Sequence, residues 1–124
     1  MTTKVVLLED DDDLRETMAE LLGVSADADC VGAASVAELQ ARSADVLRTS
    51  IALLDINLGV GEPSGIDAYR WLREHHYPGR IVFLTGHACG HPLVEEARRL
   101  GSAELLSKPV PAPTLAALVR EASA

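Results

Sequence analysis

The sequence predicts an α/β fold, a parallel sheet of five short strands with helices on both faces. Three observations carry that expectation. Short, nearly unbroken apolar runs recur along the chain, as in Val5-Val6-Leu7-Leu8 and Ile51-Ala52-Leu53-Leu54, and such runs suit strands covered on both faces. The stretches between them space their apolar residues as helices do, and parallel strands require such crossovers. Four of the five runs end in polar residues, at the carboxyl edge where open α/β sheets bind ligands.

The elements follow in order. Lys4–Leu8 is a first strand, and the acids Glu9 to Asp13 follow it directly. Leu14, Met18, Leu21 and Leu22 then share one face of a helix whose first turn is acidic, as the helix dipole favours. Asp29–Ala33 is a weaker second strand, and Ser35 with Glu38 has capping-box spacing for a second helix reaching about Arg42. The third strand, Ile51–Leu54, delivers Asp55 at its end, and the glycine-rich stretch 56–65 cannot prolong it. Ile66, Tyr69 and Leu72 space a third helix, which Pro78-Gly79 terminates. Arg80–Leu84 is a fourth strand ending at Thr85-Gly86, and His91-Pro92 opens a helix through Leu93, Ala97 and Leu100 that Gly101 stops. Ala103–Leu106 is a short fifth strand broken by Ser107-Lys108-Pro109. Leu115, Leu118, Val119 and Ala122 mark a closing helix.

Composition narrows the function. At 124 residues and 48% hydrophobic, the chain has the size of one domain, expected to span 1–124. A formal charge of −8 repels nucleic acid and anionic membranes, so neither is expected as a direct partner. No apolar run approaches the roughly 20 residues of a membrane span. Met1 to Lys4 leads straight into a strand with no visible export signal, and Cys30 and Cys89 form no CxxC pair. The expectation is a cytoplasmic protein with reduced cysteines.

Glu9, Asp10, Asp55, Thr85 and Lys108 should all emerge at one edge of the sheet. Carboxylates converging from two strands repel, so they hold protons or share a cation. With oxygen ligands in a water-accessible loop edge, Mg²⁺ is preferred to Zn²⁺. Lys108 is a point charge suited to phosphate, and Thr85 offers a hydroxyl that can donate or accept. Carboxylate, metal, ammonium and hydroxyl together describe phosphoryl transfer to an aspartate, which depends mainly on positioning and charge neutralisation.

The chain resembles a response-regulator receiver domain of two-component signalling. The resemblance runs from Val5 to the last helix, on Glu9-Asp10, Leu53-Leu54-Asp55, Phe83-Leu84-Thr85-Gly86 and Ser107-Lys108-Pro109. It implies a doubly wound, flavodoxin-like three-layer (βα)5 domain with strand order 2-1-3-4-5. It implies Asp55 as phosphoacceptor from the phosphohistidine of a histidine kinase or phosphotransfer protein, and a downstream protein partner. Asp10, Asp55 and the backbone carbonyl of Asn57 would hold Mg²⁺, with Glu9 acting through metal-bound water. Lys108 would pair with the phosphoryl group, Thr85 would swing towards it, and the Lys108-Pro109 bond would be cis. Such a domain signals rather than turning over a substrate, catalysing at most its own phosphorylation and dephosphorylation. Two features depart from the family's pattern: Leu105 stands at its aromatic switch position, and the loop from Asp55 to Gly65 is longer and richer in glycine. Asn57 and His87 stand where the resemblance places residues linked to hydrolysis rate.

An alternative is a small haloacid-dehalogenase-like phosphatase with Asp10 as nucleophile and Asp12 as acid. That family needs a further acidic pair after the lysine, and beyond Lys108 only Glu121 is acidic. His87, Cys89 and His91 lack a fourth zinc ligand. His75 and His76 answer a helix dipole, Trp71 is expected half-buried, and Glu95 is spaced to pair with Arg98 and Arg99.

Overall fold

Five strands, β1 (Thr3–Leu8), β2 (Ala28–Ala33), β3 (Ile51–Asp55), β4 (Arg80–Thr85) and β5 (Glu104–Ser107), form one sheet in the order β2-β1-β3-β4-β5. Every neighbouring pair is parallel. The structure is a computed structural model, and it describes residues 2–59, 61–86, 91–100 and 104–122. Gly101, expected to stop a helix, and Ala103, expected to begin β5, lie outside these residues. The expected doubly wound, flavodoxin-like arrangement is what the chain adopts.

Two apolar layers sandwich the sheet because side chains alternate along each strand. Val5, Leu7, Ile51, Leu53, Val82 and Leu84 face one way, and Met18, Leu22, Leu115 and Val119 cover them. These four come from α1 (Asp12–Ala26) and α6 (Ala112–Ala122). Val6, Leu8, Ala52, Leu54 and Phe83 face the other way, against residues of α2 (Val36–Ala41), α4 (Gly65–Glu74) and α5 (Pro92–Leu100). Within α4, Ile66 and Leu72 are fully buried, and each contributes about 1.5–3 kcal/mol relative to exposure.

Local chemistry sets the helix ends. Asp11 caps α1 by accepting from the Leu14 N–H. Ser35 caps α2 in the same way, but Glu38 accepts from the Ala34 N–H rather than from Ser35, so only half of the expected box forms. A complete capping box closes α4 instead, between Ser64 and Asp67. The expected second helix, reaching about Arg42, is α2, and a further short helix that was not expected, α3 (Ser43–Val46), follows it, so the described residues hold six helical segments rather than five. The break falls at Arg42, whose backbone leaves helical angles and whose guanidinium donates back to the Gly32 carbonyl.

Side-chain burial follows the predicted stripes with two adjustments, at Leu14 and Val94, and Trp71 takes its expected place. Leu14 is exposed at the edge of the α1 stripe, Val94 joins Ala97 inside α5, and Trp71 is half-buried with its ring against His75. In place of an intrahelical set around Glu95, Glu96 pairs with Arg70 of α4 at 2.7 Å. His75 sets its Nδ1 2.8 Å from the Trp71 carbonyl at the end of α4.

Candidate functional site

Four strand ends build the site. β1 ends at Leu8, and Glu9 takes one more rung, its N–H donating to the Ala33 carbonyl, before the chain turns into α1. β3 carries Asp55 as its last residue, aligned with Leu84 on β4, so Thr85 stands one step beyond. β5 ends at Ser107, and the Lys108 N–H donates to the Thr85 carbonyl at 2.7 Å. Parallel strands leave all these residues on one edge. The Lys108-Pro109 bond is cis, as the resemblance implied.

The side chains converge. Oxygens of Glu9, Asp10 and Asp55 lie within 4.8 Å of one another. Lys108 Nζ sits 2.7 Å from Glu9 Oε1 and 3.2 Å from Asp55 Oδ2. Glu9 is 4% exposed, Asp55 6% and Thr85 2%, whereas Asp10 is open to solvent. Three carboxylates thus face one ammonium, and the electrostatics record the imbalance. Burial pushes the Asp55 carboxyl above its ordinary range despite Lys108, and Asp10 adds to the shift. Burial also raises Asp10, helped by Glu9. Burial works against the Lys108 ammonium, but the Glu9 hydrogen bond and the Asp55 charge outweigh it, and its pKa stands above the lysine value.

An oxygen-only donor set with surplus negative charge and one solvent-facing member fits a hard divalent cation such as Mg²⁺. Asn57 is exposed just beyond Asp55, and its side-chain oxygen accepts from the Gly59 N–H. The loop behind it needs its glycines at two points, Gly59 at φ 123° and Gly61 at φ 78°. Val60, His87 and Cys89 lie outside the described residues; His91 accepts from the Leu93 N–H through Nδ1. Leu105 is half-buried and packs against the layer that contains Phe83.

Two further residues frame the site: Gly65, marked in the sequence only as the end of the loop after Asp55, and Arg15, which was not singled out there. Gly65 opens α4 directly against β3, with its N–H on the Ile56 carbonyl at 2.8 Å, and a Cβ there would collide with the Asp55 carbonyl oxygen. Arg15 reaches from α1 to the Glu9 carbonyl. A signal for Arg15 was present: a cation in the first turns of a helix opposes the dipole and calls for another reason.

Fold and site together define a small α/β domain with a lysine-bridged acidic pocket at the carboxyl edge of its sheet. The chain belongs to the response regulator receiver domain family, whose model matches residues 5–120. Among curated proteins it is 33% identical over 106 residues to the transcriptional regulatory protein CitB of Klebsiella pneumoniae, covering 85% of this chain and 44% of CitB. It is 27% identical over 119 residues to the response regulator protein TodT of Pseudomonas putida, covering 95% of this chain and 50% of TodT. The chain therefore spans about half the length of these relatives. Among solved structures, the BeF3-activated N-terminal receiver domain of Klebsiella pneumoniae RstA superposes with a TM-score of 0.78 at 26% identity, covering 96% of this chain and 97% of that one. Among the described residues no helix is long and apolar enough to cross a membrane.

Proposed function

We propose that this receiver domain, taken as a single unit over 1–124, accepts a phosphoryl group on Asp55 from the phosphohistidine of a histidine kinase or phosphotransfer protein, in the cytoplasm and with Mg²⁺. The observation that carries the reading is the placement of Lys108 Nζ between Glu9 and Asp55 inside the acid cluster. An Asp55 carboxylate oxygen attacks phosphorus, the new O–P bond forms as the P–N bond breaks, and the electron pair returns to the imidazole of the donor. Lys108 shifts its hydrogen bonds from carboxylate to phosphoryl oxygen, which keeps the ammonium paired throughout. Thr85, at the end of the adjacent strand, turns its hydroxyl to another phosphoryl oxygen. Asp10, Asp55 and the Asn57 backbone carbonyl would hold the cation, with Glu9 reaching it through water. A bound Mg²⁺ supplies positive charge that draws the phosphoryl oxygens towards the carboxylates.

The surface built from α5, β5 and α6 then changes its downstream protein partner. Leu105 on β5 replaces the aromatic switch with an aliphatic side chain, so the change passes through packing rather than through rotation of a ring. The phosphatase alternative is weaker, because Asp12, its required acid, is 74% exposed and paired with Arg15 rather than with Asp10. Incubation with Mg²⁺ and acetyl phosphate, followed by intact mass, tests the proposal. A labile phosphate adduct absent from Asp55→Asn is expected. An adduct that persists in Asp55→Asn but vanishes in Asp10→Asn would overturn it in favour of the phosphatase.

A further inference from the structure

We infer that Arg15 is a positioning residue for the acidic site: its guanidinium anchors the Glu9 carbonyl and so sets the direction of Glu9 and Asp10 towards a divalent cation. The inference rests on the metal-dependent reading of that site. Glu9 is held at four points. Its N–H takes the last rung to Ala33, one carboxylate oxygen meets Lys108, and the other accepts from the Asp11 N–H at 3.3 Å. The fourth is its carbonyl, beyond the last residue that β1 pairs with β2, which accepts from Arg15 Nη1 at 2.7 Å. A charge-assisted bond at that distance is among the strong ones.

The anchor acts on more than one residue because the peptide group is planar. Holding the Glu9 oxygen also fixes the orientation of the Asp10 N–H and Cα. Asp10 is the solvent-facing member of the acid cluster and has no strand of its own to orient it.

Two further features mark Arg15 as placed rather than merely present. Its other terminal nitrogen holds Asp12 at 2.6 Å, so the planar fork is used on both sides, which a lysine cannot reproduce. Its stem lies over Gly32 of β2, where a Cβ would stand only 3.1 Å from the Arg15 Cδ. The absence of a side chain at residue 32 gives the arginine room to cross the strand. An exposed pair with Asp12 alone would contribute little.

Binding of Mn²⁺, a spin-active stand-in for Mg²⁺, reads the site without any phosphodonor. Titration is followed by loss of the free-ion electron paramagnetic resonance signal. Arg15→Ala, which suits a helix, is expected to weaken Mn²⁺ affinity by about 10- to 100-fold, the range for removing a group that orients a ligand. Arg15→Lys should fall between this variant and the wild type. Mere removal of a neighbouring cation acts in the opposite direction, tightening a dication on the acids. Gly32→Val keeps the arginine but crowds its stem, and should weaken binding too, while the double variant is no worse than Arg15→Ala. Melting temperatures check the fold, and if Arg15→Ala does not fold, Arg15→Lys and Gly32→Val carry the comparison.

Unchanged or tighter Mn²⁺ binding in the folded variants overturns the inference, and an Asp55 adduct in the wild type then leaves the receiver reading standing. Arg15-dependent Mn²⁺ binding without any adduct overturns the phosphoacceptor reading and leaves the positioning role intact. A wild-type chain that binds no Mn²⁺ overturns both.

Discussion

Replacing Lys108 with methionine removes the ammonium while keeping a side chain of similar reach. Two carboxylates buried to 4% and 6% exposure then lose their nearest cation, one hydrogen bond of 2.7 Å and a second contact of 3.2 Å. Removing one partner of a fully buried ion pair costs about 3–5 kcal/mol. Here the Lys108 side chain is 23% exposed and Asp10 opens the cluster to water, which screens part of the loss. The expected destabilisation in metal-free buffer is therefore about 2–3 kcal/mol. At roughly 3–5 °C per kcal/mol for a domain of this size, the melting temperature should fall by about 6–15 °C. Mg²⁺ should shrink the deficit, because without the ammonium the acids hold the dication more tightly and the folded state gains more from it. Thermal melts of both proteins in EDTA and in excess Mg²⁺ measure the effect. A loss below about 0.5 kcal/mol, in the range of ordinary surface substitutions, would refute the reasoning, as would a deficit that Mg²⁺ leaves unchanged.

Other outcomes follow from the same geometry. Because Asp10 and Asp55 have raised folded-state pKa values, the folded chain binds more protons than the unfolded one above pH 3.8. Their contribution to metal-free stability should therefore decline as pH rises from 3.8 through the raised folded values. Asp10→Asn should flatten that decline in urea melts across pH; an equally steep decline in the variant would count against the assignment. Gly65→Ala drives a Cβ into the Asp55 carbonyl and should cost about 1–3 kcal/mol while slowing adduct formation on Asp55, as denaturant melts and intact mass would show. At the opposite end of the sheet, Thr49 donates to the Val46 carbonyl and lies 2.9 Å from the buried Tyr77 hydroxyl. Tyr77→Phe should cost about 1 kcal/mol, whereas Thr49→Val strands the phenol and should cost about 1–3 kcal/mol. Equal losses in urea melts would contradict that order of donation.

The site could be read from the sequence where it depended on topology and was hidden where it depended on packing. Parallel crossovers send every strand's carboxyl end to one edge, so Asp55, Glu9, Asp10, Thr85 and Lys108 follow from the order of apolar runs and the acids after them. The bond from Lys108 to Glu9 spans 99 positions and is settled by rotamers that no spacing encodes. Arg42 illustrates the same limit for a helix: α2 stops beside it as expected, but the short α3 that follows its turn towards the Gly32 carbonyl was not foreseen from apolar spacing. Ser35 with Glu38 and Ser64 with Asp67 share a spacing, yet only the second pair closes completely, because closure depends on how the chain enters the helix. Gly65 and Arg15 act through backbone atoms of other residues, so a glycine at the end of the loop and a cation near the start of a helix were visible in the sequence while the atoms they meet were not.

The glycine that begins α4 welds that helix to the end of β3 main chain to main chain, through the Gly65 N–H on Ile56 and the close approach to the Asp55 carbonyl. No side chain lies between them to act as a bearing, so α4 cannot slide without dragging Asp55 along. Under the proposed phosphorylation, a change at the pocket would find its room to move on the far flank of the sheet, where the last two strands carry their helices.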